Sequence, residues 1–315
     1  MRISYRPPTS RWVDLDGPVH YVDHGGPEGG PLLVCLHGLG GSLVNWAALA
    51  PHLTKHVRVV AVDLIGFGRT RRAGRSSSMA SQQRLLHRFL TEVVDGPAIL
   101  VGNSMGGHVA ALQANAHPET VTGLALIAPA LPRASDARPD PFVTAMFATY
   151  TTKTLGRALL RWRRRRRTPD EAAMGVLRMC CVDTGRIPAP VLQQHLDLAL
   201  DRSWHDEIDD TVLEATRSLM CALGRRRRHS ALLAALEGTV LLLHGEQDRV
   251  VPVASARAAA RANPGWRLEV AEDVGHVPHL EAPAWTAGRI LDWLETEDVA
   301  AGARPRRADP RPHTP

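Results

Sequence analysis

Three side chains in this sequence have the types and order needed to break an acyl bond, and the first is a serine set between glycines. Gly102-Asn103-Ser104-Met105-Gly106-Gly107 follows a short apolar run, Ala98 to Val101, and precedes an Ala-rich segment from His108 to His117 that Pro118 closes. The run reads as a buried strand and the segment as a helix. A serine with glycine at i−2 and i+2, entered by a strand and left by a helix, makes a nucleophile elbow. The turn is too tight for side chains at the glycine positions, so the serine backbone is strained and its hydroxyl stands clear of the sheet. A serine that merely caps a helix is the plainer alternative. The flanking strand and helix favour Ser104 as nucleophile.

A serine hydroxyl attacks poorly until a base takes its proton, and that base needs a third group to orient it. In an open parallel sheet such groups gather at the carboxyl ends of strands. Asp248 lies just past the apolar run Thr239 to Leu243, four residues beyond His244, and His276 follows the strand-like Trp266 to Val270. Ser104, Asp248 and His276 thus fall in the chain order of nucleophile-elbow enzymes. Glu246 rivals Asp248 as the acid, and His279 rivals His276 as the base. Gly275 favours His276, and His279 reads as a surface residue near a helix start.

These residues need a frame. Trp12 to Asp16 and Val19 to Val22 alternate like an opening hairpin around Asp16-Gly17-Pro18. Pro31 to Leu36, Val57 to Val62, the elbow strand and Val121 to Ala128 are continuous apolar runs of the kind covered on both faces. Helical stretches alternate with them, one from Ser42 to Thr54 and another from Ser78. The fold class is therefore α/β, a mostly parallel central sheet flanked by helices. From 132 to 236 the alternation gives way to helical patterns, including Phe142 to Leu160, Pro169 to Val182, Ala189 to Leu200 and Thr211 to Leu223. This is read as an inserted helical cap, with residues 1–131 and 237–298 as the core. Residues 299–315, rich in Arg and Pro, read as a disordered tail.

The motifs HGLGGS (37–42), DLIGFGRT (63–70), GNSMGG (102–107), HGEQDRVVP (244–252) and GHVPHLE (275–281) resemble, in this order, those of the α/β-hydrolase fold family, in its serine esterase and lipase branch. The resemblance spans nearly all of residues 12 to 296. It implies that Ser104 attacks a carbonyl, that His276 shuttles the proton and that Asp248 orients the imidazole. It implies an oxyanion hole from the backbone N–H groups of Leu39 and Met105. It makes His37 a brace of the oxyanion loop and Asp63 a holder of neighbouring loops. Asp248 precedes the Arg-Val-Val-Pro run that the family places after its acid. The implied activity is hydrolysis of a carboxylic ester, with a small hydrophobic ester as substrate and no cofactor or metal. Phe142, Met146, Phe147, Met174 and Met179 of the cap would favour an apolar acyl group, or else pack the cap onto the sheet. Trp46 and Phe67 read as core. Two alternatives share the frame. One is a carbon–carbon bond hydrolase of the meta-cleavage-product type, which usually has tryptophan where Val277 stands; the other is a non-catalytic ligand receptor.

The totals narrow the field. The chain of 315 residues is 44% hydrophobic, enough for a sizeable core. No long apolar run suggests a membrane span, and the first residues lack the apolar stretch of a signal peptide. Four cysteines, Cys35, Cys180, Cys181 and Cys221, form neither a disulfide framework nor a zinc spacing. A cytoplasmic location is expected. The formal charge is +6, and only Lys55 and Lys153 among the 38 basic residues are lysines. Arginines cluster at 161, 163–167 and 225–228. No aromatic interleaving accompanies them, so nucleic-acid binding is not expected. Weak peripheral association with an anionic membrane through the cap arginines is.

Overall fold

A computed structural model describes residues 8–202, 207–297 and 299. Its strands are β1 (Ser10–Asp14), β2 (Pro18–Gly25), β3 (Leu32–Leu36), β4 (Arg58–Val62), β5 (Ala98–Asn103), β6 (Val121–Ile127), β7 (Val240–Gly245) and β8 (Trp266–Ala271). They form one sheet in the order β1-β2-β4-β3-β5-β6-β7-β8. The β1–β2 and β2–β4 pairs are antiparallel and the rest parallel. The opening hairpin is present as the alternation predicts.

The continuous apolar strands are explained by two cores. Leu32, Val34, Leu36 and Leu100 point to one side of the sheet, while Leu33, Cys35, Ile99 and Val101 point to the other. A strand's side chains alternate with period two, so burial on both faces leaves no polar position.

The helices are α1 (Ala50–Leu53), α2 (Met79–Phe89), α3 (Met105–Ala116), α4 (Pro141–Thr151), α5 (Lys153–Arg166), α6 (Pro169–Cys180), α7 (Ala189–Arg202), α8 (Ile208–Gly224), α9 (Arg226–Ala234), α10 (Val253–Ala262), α11 (Pro278–Glu281) and α12 (Pro283–Thr296). Helices α4 to α9 form an excursion between β6 and β7. No helix among the described residues is long and apolar enough to cross a membrane.

Several elements differ from expectation. The single helix expected from Ser42 to Thr54 is instead a 3₁₀ turn, Leu43–Trp46, and the short α1. Ser42 and Asn45 close a capping box on the turn, and Pro51 restarts the helix, where its missing N–H costs nothing. The helix expected from Phe142 to Leu160 breaks at Thr152, whose extended backbone (φ −97°, ψ 110°) divides α4 from α5. Most of the expected tail lies outside the described residues, but Val299 is buried in the core cluster that contains Trp293.

Candidate active site

Parallel pairing of β5 with β3 sets Gly102 opposite Leu36, so the elbow and the loop after β3 leave the sheet side by side. Strand β4 lies on one side of β3 and β5 on the other, and this reversal opens the crevice in which ligands of such sheets bind. Ser104 heads α3 with φ 53° and ψ −115°. This is a costly conformation for a residue with a Cβ, and it persists only where the surroundings over-determine it. They do so here. The Ser104 N–H donates to the Ile127 carbonyl (3.1 Å), while the Ser104 carbonyl accepts from His108 N–H (3.2 Å) and Ala130 N–H (3.0 Å).

The glycines are explained by close approach. A Cβ on Gly106 would collide with the Leu36 carbonyl, and one on Gly38 would sit 2.9 Å from Asn103 Oδ1 and 3.2 Å from Ser104 Cβ. The loop bearing Leu39 therefore lies directly against the serine. Met105 is the first residue of α3, where an N–H has no acceptor within the helix. Gly106→Ala is expected to cost more than about 4 kcal/mol, because backbone must shift against backbone. For a chain of this size that lowers the thermal midpoint by about 6 °C. A melt unchanged from wild type would show that the elbow has slack.

The side chains of His276 and Asp248 are in contact. His276 Nδ1 lies 2.8 Å from Asp248 Oδ2. The other carboxylate oxygen, Oδ1, accepts from Val250 N–H (2.7 Å) and Val251 N–H (2.9 Å). Burial by itself would raise the Asp248 pKa. The His276 imidazole and the hydrogen bonds from His244 and His276 outweigh it and hold the carboxyl well below the usual carboxylate range. Asn103, next to the serine, donates from Nδ2 to the His276 carbonyl at 3.2 Å. The loops bearing Ser104 and His276 are thus bonded to each other.

Sequence reasoning missed three supporting residues. His244 is fully buried, and its Nε2 faces both Val251 O (2.8 Å) and Asp248 Oδ2 (3.1 Å). Its place at the end of β7, on the same strand end that Asp248 follows, was the available signal. Glu281 is buried and accepts from Gly275 N–H and Asp183 N–H, both at 2.8 Å, so one carboxylate ties the histidine loop to the excursion. Cys180, at the end of α6, accepts the His276 N–H on its carbonyl at 2.6 Å. Its thiol is pushed up to about 12 by burial and then by Asp248, so it stays protonated and is no rival nucleophile.

The other candidates fall elsewhere. Glu246 pairs with Arg257 at 2.6 Å on the surface. His279 is not a surface residue. It is fully buried and stacked on Trp46, with ring centres 4.5 Å apart. The short α11 turns it inward toward the core, which the exposed reading of a helix start did not anticipate. Trp46 and Phe67 are core, and Phe142 is 62% exposed rather than facing a pocket. His37 Nδ1 bonds Gly38 O (2.8 Å) and its Nε2 accepts from Leu64 N–H (3.1 Å). Asp63 accepts from Leu43 N–H and Arg69 N–H and contacts His20 Nδ1 at 2.7 Å. His20 Nε2 in turn lies 3.0 Å from Ser10 Oγ, which makes a second Ser-His-Asp chain. Ser10, however, lies in the regular edge strand β1, with neither elbow strain nor a helix behind it.

Several imidazoles near the site are buried without partners. His108 of α3 stacks on His229 of α9 at 5.3 Å, and the nitrogens of both rings lack hydrogen bonds. Burial lowers the pKa of His108 to about 3, with His229 adding to the effect, and burial lowers that of His229 to about 4. Burial likewise takes His195 to about 4 and, with smaller contributions from His276 and His195, His279 to about 3. An unfolded chain binds these protons near the ordinary value of 6.5, so acid favours unfolding. The stability is whole above about pH 6.5 and is lost as pH falls toward 4. At pH 5 each such group has cost about 2 kcal/mol. The thermal midpoint is expected to be level from pH 7 to 8 and to fall steeply between about pH 6 and 4. His108→Leu should flatten that fall, and an equally steep one would place the acid sensitivity in other groups.

The geometry has a known counterpart. A family model described as "alpha/beta hydrolase fold" matches residues 31–283. The chain belongs to the α/β-hydrolase fold family. This α/β-hydrolase is 27% identical to monoacylglycerol lipase ABHD6 of Mus musculus over 281 residues, 87% of this chain and 78% of that protein. Among solved structures, a bacterial membrane phospholipase A is 27% identical, with a TM-score of 0.69 over 92% of this chain and 87% of the other. An esterase from Thermogutta terrifontis shares the fold at 24% identity, with a TM-score of 0.68 over 93% and 99% of the two chains.

Proposed function

We propose that this α/β-hydrolase cleaves carboxylic esters through a covalent acyl-enzyme, with Ser104, His276 and Asp248 as its triad. The observation that carries the proposal is the strained Ser104, held at the end of β5 and bonded through Asn103 to the loop of a His276–Asp248 pair. Ser104 Oγ attacks the ester carbonyl carbon while His276 Nε2 takes its proton. The carbonyl oxygen becomes an anion, for which the N–H groups of Leu39 and Met105 are the donors. Collapse breaks the ester C–O bond, and His276 returns the proton to the departing alcohol. Water then repeats the attack on the acyl-serine, and the carboxylic acid leaves. Asp248 keeps the Nδ1 proton of His276 in place and offsets the imidazolium charge.

Residues 132–236 are assigned as the cap over this site. It is fastened to the site at two places besides Glu281: Asp140, which caps α4, pairs with Arg249 beside the acid at 2.7 Å, and Cys180 holds the histidine loop. The relative named a monoacylglycerol lipase makes esters of one long acyl chain with glycerol the first substrates to try. The test is hydrolysis of monoacylglycerols and of p-nitrophenyl esters from acetyl to palmitoyl, together with labelling by a fluorophosphonate. Turnover with an optimum chain length, and label on Ser104, support the assignment. Label without turnover of any ester would overturn the substrate class, and no label would overturn the nucleophile.

A further inference from the structure

Helix α5 has two unlike sides. Arg157 pairs with Asp210 of α8 at 2.7 Å, Arg164 pairs with Asp209 of α8, and Arg163 donates to Tyr150 Oη of α4 at 2.9 Å. These bonds fasten one side of α5 to its neighbours. On the outer side stand Leu155 and Trp162, 59% and 52% exposed, and seven residues apart so that they share a face two turns from each other. Phe142, at the start of α4, adds a third exposed apolar side chain. Beyond Trp162 come Arg165, Arg166 and Arg167, all exposed and, among the described residues, without a carboxylate partner. The Arg166 guanidinium lies 5.4 Å from the centre of the Trp162 ring. From Lys153 to Arg167 there are eight basic side chains and no acidic one.

We propose that this face of α5 docks the protein on an anionic lipid bilayer. Exposed leucine, tryptophan and phenylalanine gain nothing in water, but they enter the boundary between headgroups and acyl chains, where tryptophan in particular settles. Arginines beside them meet lipid phosphate and carboxylate. A basic helix with an apolar stripe is the pattern of interfacial binding. A nucleic acid would satisfy the arginines yet leave Leu155 and Phe142 in water, so the apolar stripe selects lipid. None of these residues belongs to the triad or the oxyanion hole, so docking and ester cleavage can fail separately.

The test is co-sedimentation of the full chain with phosphatidylcholine vesicles, with and without phosphatidylserine. Binding is expected only with phosphatidylserine, and is expected to disappear at about 1 M salt, where the Debye length is about 3 Å. Each arginine at an anionic surface is worth about fivefold in affinity, so Arg165→Gln, Arg166→Gln and Arg167→Gln together should weaken binding about a hundredfold. The pair Leu155→Ser and Trp162→Ser should also release the protein from vesicles. Both variants should keep the wild-type thermal midpoint and solution ester turnover, since the altered side chains are exposed. Failure to bind, or equal binding to neutral vesicles, would overturn the proposal. So would binding that survives the triple variant, which would move the contact to Arg225–Arg228. Binding to single-stranded RNA that is lost in the triple variant, with vesicle binding indifferent to Leu155 and Trp162, would make the surface a nucleic-acid site instead.

Discussion

Ser104→Ala is expected to lower ester turnover by about ten-thousandfold or more while leaving the melt unchanged. The substitution removes one oxygen and nothing else. Alanine keeps the Cβ that packs 3.2 Å from where a Gly38 side chain would begin, and it accepts the same φ of 53° at the same cost as serine. The backbone bonds that hold the elbow, to Ile127, His108 and Ala130, do not involve the hydroxyl. Activity should therefore fall through chemistry alone, because neither Asn103 nor Met105, the residues flanking Ser104 at the head of α3, carries a hydroxyl to form the acyl-enzyme. The measurement is kcat on a p-nitrophenyl ester, paired with fluorophosphonate labelling and mass mapping. Ser10, with its own His20 and Asp63, provides an internal control. If label and turnover persist in the variant and map to Ser10, the chemistry belongs to the edge strand and not to the elbow.

Asp248→Asn should lose turnover on a similar scale, about ten-thousandfold, for a reason visible in its hydrogen bonds. One oxygen of Asp248 accepts two backbone N–H groups, from Val250 and Val251, and the other faces the ring nitrogens of His276 and His244. An asparagine must keep its carbonyl toward the two backbone donors. Its NH₂ then points at His276 Nδ1, which must become the acceptor. The ring proton is thereby forced onto Nε2, the nitrogen that takes the proton of Ser104 in the proposed mechanism. The same NH₂ also confronts His244 Nε2, which donates to Val251 O, so a donor meets a donor inside the protein and about 1–3 kcal/mol of stability goes with it. The checks are kcat and the thermal midpoint. Turnover within tenfold of wild type would remove Asp248 from the acid's role, and Glu246, tied to Arg257 on the surface, could not easily replace it.

Much of this was legible in the sequence because it is local. The elbow needs glycines within two residues of its serine, and the buried strands need unbroken apolar runs. Both requirements are written into adjacent positions, so the strained backbone at Ser104, the mostly parallel sheet and the helical excursion could be read directly. The order of Ser104, Asp248 and His276 followed as well, because an open sheet delivers its strand ends to one edge whatever the loops contain.

What lay beyond the sequence is what depends on packing between distant segments. The inward turn of His279 onto Trp46, the burial of Val299, and the stacking of His108 on His229 are contacts between elements that no periodicity relates. The service of Glu281 to both Gly275 and Asp183 is another. The break at Thr152 separates α4 from α5, and α8 meets α5 through Leu213 against Gly156 and through Asp209 and Asp210 paired with Arg164 and Arg157, contacts made more than forty residues along the chain. Sequence alone determined the frame and which residues stand as candidates for the chemistry. Tertiary structure decided how the serine and histidine loops are bound together and which arginines pair with acids of another helix, because both depend on hydrogen bonding across chain separations that local pattern does not carry.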